Sequence, residues 1–155
     1  MKYVFINVET TGLPASENYD VDIDDEFDGP LITLLSYISI SFNEDRGVSF
    51  ITGMDNTVVK MKDGIHIYNS YIHGITDEIS AERGIPIRRA LGGIMRAIQE
   101  ADVVVAHSAQ HVLNTIRSEI VRLATEPGGA VTRSMDREYQ EHLKTLDSKA
   151  RAKRH

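Results

Sequence analysis

The sequence predicts a mixed α/β domain, on three observations. An apolar, β-branched run opens the chain at residues 2–8. Two further extended runs follow, separated by a short polar turn, as in an antiparallel meander. A stretch of helical periodicity then leads into a short valine strand and a second helix, so strands and helices share one chain. A length of 155 residues suits a single domain over 1–155 with a proper core. The 41% apolar content, with no 18-residue apolar run, predicts a soluble globular protein that does not enter a membrane.

The opening strand, Lys2-Tyr3-Val4-Phe5-Ile6-Asn7-Val8-Glu9, breaks at Gly12 and Pro14. Side chains on a strand alternate faces, so residues 7 and 9 present an amide and a carboxylate from one side at the strand's end. The connection over 15–30 carries Glu17, Asp20, Asp22, Asp24, Asp25, Glu26 and Asp28. Such a block reads first as a solvated loop and second as a cation collector, and it lacks the Gly and terminal Glu of an EF-hand. Residues 31–42 form the second predicted strand, Asn43-Glu44-Asp45-Arg46-Gly47 a turn, and 48–52 a third strand.

Residues 54–69 show no clear period, with 58–59 and 65–67 as short extended pieces. Asp77-Glu78-Ile79-Ser80 caps or forms a short helix. From Pro86, the apolar positions Ile87, Leu91, Ile94, Met95 and Ile98 recur at helical spacing, which predicts an amphipathic helix over 86–100 with Pro86 as its first residue. The pair Gly92-Gly93 inside it marks close packing on the sheet. Residues 102–106 are too short and too β-branched for a helix and read as a buried strand. Ser108 is placed to cap the next helix, whose inner face carries Val112, Leu113, Ile116, Ile120 and Leu123. Glu126-Pro127-Gly128-Gly129 stops it, and a last polar helix starts near Ser134.

The net charge of -6 opposes a large non-specific nucleic-acid surface, although an acidic metal site bridged to phosphates by cations is compatible with it. The absence of cysteine excludes disulfides, thiol catalysis and thiolate zinc sites. The first residues read as a core strand rather than a leader, so an intracellular location is expected. The basic end over 144–155, with Lys144, Lys149, Arg151, Lys153 and Arg154, reads as a solvated helix end that complements the dipole or as a guide for a nucleic-acid backbone.

The run Asn7-Val8-Glu9-Thr10-Thr11-Gly12-Leu13 closely resembles motif I of the DEDDh (DnaQ-like) 3′-to-5′ exonucleases, whose pattern is Asp-x-Glu-Thr-Thr-Gly-Leu and whose fold is RNase H-like. The resemblance implies that Glu9 holds metal and that Thr10, Thr11, Gly12 and Leu13 approach the 3′ terminal nucleotide. Motif II of the family, roughly His-Asn-x-x-Phe-Asp before a helix, is matched in frame by His107-Ser108-Ala109-Gln110-His111. His107 then falls at a substrate-binding position, and His111 replaces the metal-binding Asp. Motif III, a His and an Asp separated by four residues, is similar to His142-Leu143-Lys144-Thr145-Leu146-Asp147. His142 would be the general base, and Asp147 a metal ligand. An Ile72-His73-Gly74-Ile75-Thr76 segment ahead of the helix also fits the family, while the span between His111 and His142 is shorter than in relatives.

Two-metal phosphoryl chemistry needs several carboxylates on a pair of divalent ions about 4 Å apart. Hard ions such as Mg²⁺ want charged oxygen ligands, so Asn7 and His111 weaken the site, leaving Glu9 and Asp147 of the four implied acids. The expectation is an exonuclease fold with a weakened Mg²⁺ or Mn²⁺ site, acting on a single-stranded nucleic-acid 3′ end. A non-catalytic module that grips such ends, or docks on a replication or repair protein, is the rival. A nitrogen-rich zinc or manganese site from His107 and His111 with His142, Glu9 or Asp147 stands as a further reading. His66, His73 and His155 carry no assigned role beyond structure or surface.

Overall fold

A computed structural model of the chain describes residues 1–12, 30–126 and 137–145. The predicted mixed α/β fold is the observed one. Strands β1 (Lys2–Thr10), β2 (Ile32–Asn43), β3 (Val48–Val58) and β4 (Val103–Val105) form one sheet in the order β3-β2-β1-β4. The first three make the antiparallel meander, and β4 runs parallel to β1 with Tyr3, Val4 and Phe5 beside Val103, Val104 and Val105. Asp102 clamps this last pairing, since its carboxylate accepts from the Lys2 N–H at 2.8 Å and its own N–H donates to the Lys2 carbonyl at 2.8 Å.

The third strand is longer than the sequence pattern indicates. It continues past Thr52 through the patternless stretch to Val58, because the sheet edge exposes most of both its faces and leaves little apolar alternation to read. The helices are α1 (Ser70–His73), α2 (Asp77–Arg83), α3 (Ile87–Glu100) and α4 (Ala109–Thr125), with a further helical segment over 137–145. Thr76 caps α2, its hydroxyl accepting from the Ile79 N–H at 3.2 Å. Pro86 occupies the N-cap of α3 rather than its first helical position.

The core lies on one face of the sheet. Val4, Ile6 and Val8 of β1 and Leu35 of β2 meet Leu91, Ile94, Met95 and Ile98 of α3, and Val112, Ile116 and Ile120 of α4. Tyr139 of the 137–145 segment is fully buried in this cluster and donates its hydroxyl to the Leu113 carbonyl at 3.0 Å. Of the glycine pair in α3, Gly93 packs on Tyr37 while Gly92 faces open space. The opposite face of the sheet carries a cross-strand apolar row, Phe5–Ile38–Met54, whose members are 42%, 39% and 67% exposed.

Candidate functional site

The candidate site occupies that open face at the carboxyl end of β1. Strand alternation places Asn7 and Glu9 on the same side as Phe5, with Asn7 exposed and Glu9 half-buried. Their side chains touch, the Asn7 Nδ2 donating to Glu9 Oε1 at 3.2 Å. Next to the apolar row runs a polar one, Asn7–Ser36–Asn56, in which the Ser36 hydroxyl donates to Asn56 Oδ1 at 2.6 Å. The β1–β4 register ends at Phe5 beside Val105, and His107 is exposed in the turn that follows.

The end of β1 is held by its own threonines. Thr10 donates its hydroxyl to the Gly12 carbonyl at 2.5 Å, and the Thr11 hydroxyl accepts from the Leu31 N–H at 3.0 Å. The Thr10 carbonyl accepts from Asn69 Nδ2 at 2.8 Å and lies 3.2 Å from His73 Nε2. His73 Nδ1 accepts from the Ile75 N–H at 3.1 Å, which fixes the tautomer with the proton on Nε2, facing Thr10. His73, given no role from the sequence, is therefore a latch on the strand that carries Asn7 and Glu9. The signal was its place in the Ile-His-Gly-Ile-Thr segment. His66 pairs through Nδ1 with Asp77 Oδ2 at 2.9 Å, a contact that holds the exposed Asp77 carboxyl below its ordinary range together with the Ile67 N–H.

The turn from β4 into α4 is strained. Ser108, expected as a side-chain cap, has φ 53 and ψ 58, and its hydroxyl makes no capping hydrogen bond, although its carbonyl accepts from the Val112 N–H at 3.1 Å. A non-glycine residue in the left-handed region costs about 1–2 kcal/mol, and a β-branched one more. Ser108→Val is expected to destabilise the fold by about 1–2 kcal/mol beyond any cap effect, with Ser108→Asn tolerated, as read by urea denaturation.

His111 lies half-buried in the first turn of α4, where its carbonyl accepts from the Thr115 hydroxyl at 2.8 Å. His142 is half-buried on the 137–145 segment, and its Nε2 is enclosed with no hydrogen-bond partner among the described residues. Leu13 and Asp147, the acidic connection up to residue 29 and the basic end beyond residue 145 lie outside the described residues. Among the described residues, no group of three or more His, Asp or Glu side chains is placed to hold a metal ion, so the nitrogen-rich set of His107, His111 and His142 is not assembled there.

Behind the sheet's end, a cavity of about 900 Å³ is lined by Thr11, Ile32, Met61, Ile87 and Leu123 with Glu119 and Arg122 at its wall. Glu119, 4% exposed, was missed from the sequence because it sits inside an ordinary helical pattern. It accepts from the Ile32 N–H at 2.8 Å and pairs with Arg122 at 3.2 Å, while Arg122 also reaches the Pro30 carbonyl at 3.4 Å. Burial pushes its carboxyl above the ordinary value, against the opposing pull of Arg122 and the Ile32 N–H. The carboxylate is thus a tie between α4 and the start of β2.

No family model and no curated protein sequence matches the chain. Solved structures do match it in fold. E. coli exonuclease I in complex with a dA16 oligonucleotide aligns with a TM-score of 0.56 at 11% identity, covering 77% of this chain and 23% of that one. An exonuclease I structure described as an ExoI/SSB-Ct complex gives the same values, and a product-bound exonuclease I gives 0.54 at 14% identity, covering 77% and 24%. The chain therefore spans about a quarter of the length of these exonuclease I chains, and shares with that part of them a mixed sheet flanked by helices.

Proposed function

We propose that the chain is a DEDDh-type 3′-to-5′ exonuclease domain that engages single-stranded nucleic-acid 3′ ends, with magnesium-dependent hydrolysis weak or absent in this sequence. The observation that carries this reading is the contact between Asn7 and Glu9. Where the resemblance implies two acids sharing a cation, an amide N–H donates into the one carboxylate instead. Such a donor lowers the charge available to a hard ion and offers a single weak carbonyl ligand in return. The likeness in fold to exonuclease I supports the reading, as does the exposed placement of the pair.

Mg²⁺ or Mn²⁺ is the cofactor this reading implies, through Glu9 and Asp147, with His142 as the proposed base. The described donors at the strand end are one carboxylate and one amide, which do not fit a pair of hard cations, and no hydrolytic step follows from them. The same contact favours a second reading, a non-catalytic module that binds nucleic-acid ends or a replication or repair protein.

A 3′-labelled single strand, assayed in Mg²⁺ and in Mn²⁺ with the parent chain and with the double variant Asn7→Asp, His111→Asp, tests both. The parent is expected to bind the strand in a salt-dependent way and to release product at or near background. The double variant is expected to be faster by about two orders of magnitude or more, the scale on which a single charge-stabilising group acts in a transition state. Robust hydrolysis by the parent in Mg²⁺ overturns the impairment. Binding without cleavage by either protein favours the non-catalytic module, and absence of strand binding removes the exonuclease reading and the end-gripping form of the second, leaving only docking on a protein.

A further inference from the structure

We propose that Asn69 and His73 are positioning residues of the candidate site, which aim the Glu9 carboxylate by holding the Thr10 carbonyl from outside the sheet. This role rests on the reading of Asn7 and Glu9 as the working pair of that site. The ladder between β1 and β2 is irregular at the step where the aim is set. Val8 and Glu9 lie beside Leu35 and Leu34, but Thr10 lies beside Ile32, so Thr33 is an extra residue on β2 opposite the step from Glu9 to Thr10. A bulge of this kind bends the ladder and re-aims the side chains next to it. The peptide group between Thr10 and Thr11 is then held from two sides. Its N–H donates to the Leu31 carbonyl at 2.9 Å, and its carbonyl oxygen, that of Thr10, accepts from Asn69 and His73.

The second side is supplied by a bracket over residues 67–77. Ile67 and Ile75 are its buried feet, and the Asp77 carboxylate closes it by accepting from the Ile67 N–H at 2.8 Å. Between the feet, Asn69 and His73 reach inward to β1 while Tyr68, Tyr71 and Ile72 stay exposed. Gly74 follows α1 at φ 77, a left-handed turn that brings the Ile75 N–H back to His73 Nδ1. With Nδ1 an acceptor, the His73 proton is on Nε2, which lies 3.3 Å from Asn69 Oδ1 as well as facing Thr10. That contact turns the Asn69 amide so that its Nδ2, at 2.8 Å, is what meets the Thr10 carbonyl. Two donors on one oxygen leave it no second orientation, and Glu9 is the next residue along the strand.

The measurement is the side-chain amide signal of Asn7 in a ¹⁵N–¹H correlation spectrum of the full chain, identified by its loss in Asn7→Asp. That amide donates to Glu9 Oε1, so its signal follows the aim of the carboxylate whether or not the chain hydrolyses anything. Two substitutions separate positioning from packing. Gln places an N–H where His73 carries Nε2–H, whereas Asn places an acceptor where His73 carries Nδ1. His73→Gln is expected to keep the Asn7 signal near its parent position. His73→Asn and Asn69→Ala are expected to shift or broaden it, with the methyl signals of the core residues Val4, Ile94 and Ile116 unmoved.

An Asn7 signal that stays in place in both His73→Asn and Asn69→Ala overturns the proposal. So does one that moves alike in His73→Asn and His73→Gln, and so do core methyls that move with it, because the two residues would then hold the fold and not the site. In the Asn7→Asp, His111→Asp background, His73→Asn is expected to lower kcat by about 100-fold, the scale of a misplacement of about 1 Å. A background that cleaves nothing removes the exonuclease reading, while the amide signal still decides the aim of Glu9, so the two failures are told apart.

Discussion

Gly84→Ala is expected to destabilise the domain by about 3 kcal/mol or more, lowering the melting temperature by roughly 6–12 °C for a chain of this size. Gly84 follows α2 where the chain runs against the end of β3. A Cβ there lies 2.2 Å from the Ser80 carbonyl oxygen and 2.6 Å from both the nitrogen and Cα of Lys60. All three are backbone atoms, so no rotamer change relieves the clash. The backbone itself must part, and it is held by the Lys60 N–H to Ile85 carbonyl and Ile85 N–H to Val58 carbonyl bonds, at 2.9 and 3.0 Å. Ser80 adds two more ties, donating to the Val59 carbonyl at 2.8 Å and accepting from the Met61 N–H at 2.9 Å.

Gly92→Ala is the control. Its Cβ meets nothing within 4 Å, and Ala is favoured over Gly in a helix interior, so a gain of up to about 1 kcal/mol is expected. Denaturation midpoints that move together in the two variants would contradict the assignment of Gly84 to close backbone approach.

The second large effect is at Glu119. Glu119→Ala leaves the buried Ile32 N–H without its acceptor and takes the carboxylate from beside the Arg122 guanidinium, a change expected to cost about 3–5 kcal/mol. Glu119→Gln keeps an acceptor for Ile32 and separates charge from shape. Because burial raises the folded-state pKa above the ordinary value of 4.5, the native protein binds the proton more tightly than the unfolded chain does. The stability from this group is therefore fully present below pH 4.5 and is lost as pH rises from there through the raised value. Urea titrations across that window are expected to show a falling contribution in the parent that Glu119→Gln abolishes. An identical slope in both proteins would place the titration elsewhere.

Much of the fold was legible because the buried face of each central element is apolar at a regular interval. Val4, Ile6 and Val8 alternate on β1, and Leu91, Ile94, Met95 and Ile98 repeat on α3, so strand and helix declare themselves. The second half of β3 was not legible, since an edge strand exposed on both faces has no interval to show. Ser108 was read as a cap from residue type alone, whereas the sharp turn out of β4 sets its φ first. At the candidate site, the placing of Asn7 and Glu9 on one side of β1 follows from strand alternation and was foreseen, whereas the hydrogen bond between them was not. His73 and Glu119 were not, because each acts on a backbone group far away in sequence: Thr10, 63 residues off, and Ile32, 87 residues off.

The clamp between Lys2 and Asp102 joins residues 100 positions apart. Loop closure of that span must be met before the parallel pairing of β1 with β4 gives anything back, whereas the β1–β2–β3 meander closes shorter loops. Asn7 and Glu9 sit on a strand of the meander, whereas the turn holding His107 and Ser108 is attached to it through β4. The entropy of closing that long span thus falls on a single parallel ladder of three residue pairs, on which the placing of the His107 turn beside β1 depends.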